Sequence, residues 1–225
     1  MNKKHAIVAA VAAGAALVAA GPAHAQAAGQ WLFKAGWNNI MPKVDSGDLS
    51  APSPPGTKVD VKSASALLLT GAYMVTDNFS VEFLAGLPYK HDIVGDGTIE
   101  GVGKIGSVHQ ISPTLMAQWR FLEPQAMFRP YVGLGVTYAV FYDTEGSGTL
   151  TALTNPGGPP TTISGDHAFG ATGELGVTFK VNDQWFVDAT IMKTYITTNT
   201  TLSTGQSIEV DQDPVAVNVS VGYRF

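Results

Sequence analysis

Between Trp31 and Phe225 the chain falls into eight runs of alternating apolar and small or polar residues, joined by connections that alternate in length. The last run shows the pattern most clearly. Val215, Val217, Val219, Val221, Tyr223 and Phe225 lie on one face of an extended strand, and Ala216, Asn218, Ser220, Gly222 and Arg224 on the other. The same alternation occupies residues 31–37, 66–75, 79–89, 110–121, 131–140, 169–180 and 185–195. The connections 41–58, 91–108, 143–167 and 199–207 are long and rich in Gly, Pro, Ser or Thr, which predicts loops. Those at 76–78, 122–128 and 181–184 are short. Short turns at one end and long loops at the other predict an all-β fold, an eight-stranded antiparallel transmembrane β-barrel. It is an up-and-down meander with short periplasmic turns and long extracellular loops. A soluble sandwich does not usually segregate its loops this way.

The apolar face suits lipid. It carries one charge, Lys193, late in an ascending strand, where a basic side chain reaches the outer rim by snorkelling. At the bilayer midplane such a residue costs about 2–4 kcal/mol. Trp31, Phe79, Trp119, Phe121, Phe179, Trp185, Tyr223 and Phe225 fall near the short-turn end of this face. Tyr89, Tyr138, Tyr142, Phe169 and Tyr195 fall near the loop end, so two aromatic belts bracket a Leu/Val band. Closure removes the sheet edges that lipid cannot solvate.

Residues 1–25 read as a secretory leader. Lys3 and Lys4 precede the apolar run Ile7–Ala20, and Ala23-His-Ala25 supplies an A-x-A cleavage site. The expected mature chain is 26–225, a single barrel domain in the outer membrane of a Gram-negative bacterium. With a net charge of −5, nucleic acid is not an expected partner. With no cysteine, neither a disulfide framework nor a thiolate metal site is available.

The inward face is narrow, because eight strands leave little more room than the side chains fill. Lys34, Glu82, Arg120, Glu174, Lys180, Asp188 and Arg224 all point inward by strand phase. They suit either a charge-paired plug in the periplasmic half or a polar conduit for ions. With a plug, cargo entering from outside needs a sideways exit. The strands around Pro88 and Pro113 are candidates, since proline removes a ladder donor. Leu68, Leu84, Phe186 and Met192 are apolar on the same inward face, either as barrel filling or as the lining of a pocket.

The phrases YMVTDN at 73–78, VEFLAGLPY at 81–89, PTLMAQW at 113–119, FRPYVGLGV at 128–136 and VGYRF at 221–225 run through the mature chain in order. Together they resemble the OmpW family of small outer-membrane proteins. The resemblance implies a narrow hydrophobic passage and the movement of small hydrophobic molecules across the outer membrane. It implies that Leu84 is an inward apolar residue at the floor of the passage. The facing position, Met192 here, can be tryptophan in the family, and methionine makes a looser, adaptable constriction. It also implies that the terminal strand, with Tyr223 and Phe225, is read by the barrel-assembly machinery. The expected partners are outer-membrane lipids, small hydrophobic solutes and that machinery, with no nucleic acid, no cofactor and a monomeric state.

Other chemistry is faint. Gly101-Val-Gly-Lys-Ile-Gly106 matches a dinucleotide-loop string without the strand and helix that would flank it, and reads as a flexible loop. His91, His109 and His167 are scattered at strand tops or in loops. Ser164, Asp166 and His167 leave open a lipid-acting enzyme at the outer rim, although no G-x-S-x-G elbow is present. A third class is a surface receptor for phage, toxins or host molecules. The expectation is a non-enzyme.

Overall fold

The structure is a computed structural model and describes residues 26–225. The expected leader and its cleavage point lie outside the described residues. The strands are β1 (Trp31–Met41), β2 (Asp45–Ser46), β3 (Thr57–Val61), β4 (Ala64–Met74), β5 (Phe79–Gly86), β6 (Tyr89–Gly97), β7 (Lys104–Ile111) and β8 (Thr114–Arg120). They continue with β9 (Phe128–Gly146), β10 (Ile163–Gly165), β11 (Ala168–Lys180), β12 (Trp185–Tyr195), β13 (Thr197–Leu202), β14 (Ser207–Asp211) and β15 (Val215–Arg224). A short helix, Gly148–Thr154, is N-capped by Ser147.

Eight antiparallel strands close into a barrel in the order β1, β4, β5, β8, β9, β11, β12, β15. The β15–β1 register, Phe33 opposite Tyr223 and Trp37 opposite Val219, completes the ring. Alternation produces the two surfaces. Phe33, Trp37, Leu67, Phe83, Leu115, Leu134, Leu175 and Val219 are exposed on the outside. The lower aromatic girdle is interlocked, with Trp31–Tyr73 centroids at 5.1 Å, Trp185–Tyr223 at 5.0 Å and Phe33–Phe225 at 5.7 Å. At the upper rim Tyr138 stacks on Phe169 at 4.4 Å. Lys193 lies 3.6 Å from Asp213 and 5.2 Å over the Tyr195 ring, which relieves its position on the lipid face.

The long connections carry more strand than the sequence suggests, although 47–56 and 155–162 remain loop. Residues 91–108, expected to be Gly-rich coil, are β6 and β7, and the Gly101/Gly103 string is the tip of their hairpin, both glycines having positive φ. Residues 199–207 join β13 to β14, and β9 runs on to Gly146. These segments extend the barrel wall upward through β3, β6, β7 and β9. A separate four-stranded sheet, β10-β13-β14-β2, stands beside it. Leu49, Ile105, Leu150, Ile163, Leu202, Ile208 and Val210 form a buried core between them. Each such side chain contributes about 1.5–3 kcal/mol on burial, which lets the extension hold together without lipid around it.

The seam between β5–β6 and β7–β8 is broken at mid-height, and lesser register shifts lie higher in the wall, at Ile93/Val94 in β6–β7 and between Ser107 and His109 in β7–β9. β5 pairs with β8 up to Leu84–Thr114, and β6 pairs with β7 from Tyr89–Gln110. Between these points residues 85–88 face residues 111–113, one residue out of step, with Pro88 and Pro113 inside the break. The neighbouring seams run through: Leu87 N–H donates to Leu67 O and Tyr138 N–H to Pro113 O. An extra residue on one strand reverses the side-chain phase beyond it. Tyr89, expected on the lipid face, is therefore turned into the lumen and only 2% exposed.

Candidate functional site: a layered lumen

The inward residues sort into layers by their distance from the periplasmic turns. At the bottom Arg129 is fully buried and donates to the carbonyls of Gln26 (2.7 Å), Phe121 (3.2 Å) and Asp77. Arg224 donates to the turn carbonyls of Asn182 and Asp183. Lys180 pairs with Asp183 at 2.8 Å, and that hydrogen bond holds the exposed Asp183 carboxyl below its usual range. Lys180 and Arg224 thus pin a periplasmic turn and do not join the interior charge network. Above them Leu32, Ala72, Met74 and Phe186 make a first apolar layer. Phe186, grouped with Leu84 and Met192 on phase alone, belongs to this lower layer.

The charged layer follows. Lys34 Nζ lies 2.9 Å from Glu82 Oε1 and 3.0 Å from Asp188 Oδ1. Gln118 Nε2 donates to Glu82 Oε2 at 2.7 Å and to Glu174 Oε2 at 2.9 Å, bridging β5 and β11. Asp188 also accepts from the Tyr131 hydroxyl at 2.9 Å and from Thr178 at 2.9 Å. Arg120 donates to Ser80 (3.1 Å) and Gln118 Oε1 (2.8 Å), with its guanidinium 4.5 Å from the Tyr131 ring centroid. All of these side chains are buried. Gly176 makes room for Tyr131, since a Cβ there would stand 2.3 Å from its ring. The layer spans the bore from β1 to β12 and from β5 to β11. It is a hydrogen-bonded plug of the kind charges adopt inside a membrane. Strand phase placed Lys34, Glu82, Arg120, Glu174 and Asp188 inward. It gave no role to Gln118, Tyr131, Ser80 or Thr178, whose signal was only an inward phase, nor to Arg129, which falls between the expected connection and the expected strand.

On the plug rests a second apolar layer of Leu68, Leu84, Met116 and Met192, with Ala216 against it. Leu68, Leu84 and Met192 form the floor of a cavity of about 60 Å³, walled by Asn38, Gly86, Tyr89, Gln110 and Thr137. A collar of Val108, Ala139, Phe141 and Ile196 follows. Above it, between the extended wall and the second sheet, lies an apolar cavity of about 240 Å³, lined by Leu49, Val59, Ile93, Leu150, Ile163 and Ile208 among others. Gln110 lines both cavities. Ser164, Asp166 and His167 are exposed outside this stack, and His167 Nδ1 accepts from Phe141 N–H at 3.2 Å.

A closed eight-stranded barrel with a lipid-facing exterior, aromatic girdles and a plugged lumen is a small outer-membrane protein of a Gram-negative bacterium. The model of the OmpW family matches residues 27–225, and the chain belongs to that family. It is 35% identical to outer membrane protein W of Salmonella typhi over 91% of this chain and 92% of that one. It is 24% identical to a Pseudomonas aeruginosa protein named for a dibenzothiophene metabolism operon, PahQ, over 87% of this chain and 88% of that one. The crystal structure of OprG from Pseudomonas aeruginosa superimposes with a TM-score of 0.80 at 27% identity, covering 89% of this chain and 98% of that one.

Proposed function

We propose that this barrel is a passive conduit for small hydrophobic molecules. They enter the upper cavity from outside, pass to the lower one, and leave sideways through the seam between β5–β6 and β7–β8. The observation that carries the reading is the stack itself: an apolar upper cavity over a smaller, mixed one floored by Leu84 and Met192, sealed beneath by the ion-paired plug. A solute cannot displace the plug without stranding buried charges. The wall beside the lower cavity is the place where ladder hydrogen bonding lapses. PahQ, named for an operon of apolar aromatic metabolism, supports the same solute class. Residues 1–25 as a cleaved leader, and the terminal Tyr223 and Phe225 as the assembly signal, would deliver the barrel to its membrane.

The test is uptake by cells with and without the protein, using a panel graded from alkanes and arenes to sugars and amino acids. Faster entry confined to the apolar members supports the conduit. Equal entry of every solute, or of none, removes it. Ser164→Ala and His167→Ala belong in the same experiment, since only a lipid-acting enzyme depends on them.

A further inference from the structure

The lower cavity is not uniformly apolar. Asn38 lies on β1, is 4% exposed, and donates through Nδ2 to the Tyr89 hydroxyl at 2.8 Å. Having accepted that bond, the Tyr89 O–H is free to donate in turn. Asn38 Oδ1 is buried and accepts no hydrogen bond from the protein. Both residues line the cavity. With the Asn38 amide in this orientation an acceptor and a donor face the cavity side by side above the floor of Leu68, Leu84 and Met192; with the amide reversed the Tyr89 O–H donates to Oδ1, and the pair still offers one donor, Asn38 Nδ2, and one acceptor, the Tyr89 oxygen. Gly86 sets the geometry, because a Cβ there would stand 2.9 Å from the Tyr89 hydroxyl and displace it. Gln110, the residue shared with the upper cavity, is already engaged, donating to Ser112 Oγ at 2.6 Å.

We infer that the lower cavity recognises the hydroxyl of a neutral amphiphile, a medium-chain alcohol or a phenol, with Asn38 Oδ1 accepting its proton and Tyr89 donating to its oxygen. The inference rests on the conduit reading above. A hydroxyl is the simplest group that is donor and acceptor at once. A carboxylate would set its oxygens against Asn38 Oδ1, an ammonium would offer nothing to the Tyr89 proton, and a hydrocarbon would leave both groups unpaired. The space of about 60 Å³ suits a hydroxymethyl-sized head, about twice the liquid volume of one water, with the apolar tail directed past Gln110 towards the upper cavity. A site that hydrogen-bonds a substrate hydroxyl discriminates strongly against the analogue lacking it.

The experiment is equilibrium partition of radiolabelled 1-octanol and of its near-isostere nonane into proteoliposomes, corrected with protein-free liposomes. It compares wild type with Asn38→Leu and Tyr89→Phe, each verified as folded by its heat-modifiable gel mobility. The expected result is a protein-dependent preference for the alcohol that falls about three- to tenfold in each variant, the worth of one hydrogen bond. Nonane binding is unchanged or rises. If both solutes bind and neither variant alters their ratio, hydroxyl recognition is overturned while the apolar conduit stands. If neither solute binds the wild-type barrel, the conduit falls with it.

Discussion

Replacing Lys34 with methionine removes the cation that holds the plug together. Lys34 is buried between Glu82, 2.9 Å away, and Asp188, 3.0 Å away, and Glu174 is tied to Glu82 through Gln118. Without it Arg120, whose nearest approach to Glu82 is 3.9 Å, faces three carboxylates alone. Breaking one buried pair typically costs about 3–5 kcal/mol, since the abandoned charge is left desolvated. Lys34 serves two carboxylates, so Lys34→Met should destabilise the barrel by about 5 kcal/mol. Lys34→Met with Asp188→Asn should recover about 2 kcal/mol or more, because the second change removes one stranded charge while keeping an acceptor for Tyr131 and Thr178. The assay is equilibrium urea unfolding of the barrel folded into lipid vesicles, read by tryptophan fluorescence, with the four members of the double-mutant cycle. A loss below about 1 kcal/mol for Lys34→Met, the level of a solvent-exposed pair, would refute the plug as a dry ion-paired element.

Leu84→Asp and Met192→Asp should each weaken equilibrium binding of a small apolar probe by at least tenfold, because an unpaired buried charge costs at least about 1.4 kcal/mol there. Unchanged affinity in both would move the floor elsewhere. Tags inserted at Pro54, Gly97, Pro156 or Gly205 should be labelled on intact cells, whereas tags at Asp77, Gln125 or Asp183 should not; the reverse pattern would invert the topology. Deleting Phe225, which packs on Phe33 and Tyr223 and donates its N–H to Trp31 O, should lower the yield of folded barrel in the outer membrane. Wild-type yield would deny it a part in assembly.

The barrel was legible in the sequence because lipid imposes a strict contrast. Every outward position from Trp31 to Phe225 must tolerate hydrocarbon, so period-2 alternation survives there. Above the membrane that contrast disappears. β6 carries Lys90 and Asp92 opposite His91 and Ile93, and with glycines at its tip it reads as coil although it is paired on both sides. Phase told which residues point inward, and Lys34, Glu82, Asp188 and Glu174 do meet. Phase carries no depth, which is why Phe186, Lys180 and Arg224 were placed in company they do not keep. Tyr89 turned the other way because a one-residue mismatch at Pro88 shifts the phase, and a mismatch between two strands cannot be read from either alone. The second sheet and the upper cavity depend on pairing between β2, β10, β13 and β14, segments of two to six residues, of which β10 and β2 find partners far away in the chain.

The central claim is that apolar solutes leave through the wall beside the lower cavity. Leu87 N–H is turned to Leu67 on β4, so Pro88→Ala restores a backbone donor on the opposite side, at the seam where residues 85–88 face 111–113, while Pro113→Ala restores one towards Tyr138 on β9; together they remove both proline constraints and allow the ladder to close. The decisive measurement is the initial uptake rate of an apolar solute by cells carrying this double variant at the same level of folded barrel as wild type. The account predicts a fall towards the rate of cells lacking the protein, while Lys34→Met, if enough of it folds, gains no passage for polar solutes that would bypass the seam. Uptake by the double variant at the wild-type rate would contradict a lateral exit at this seam.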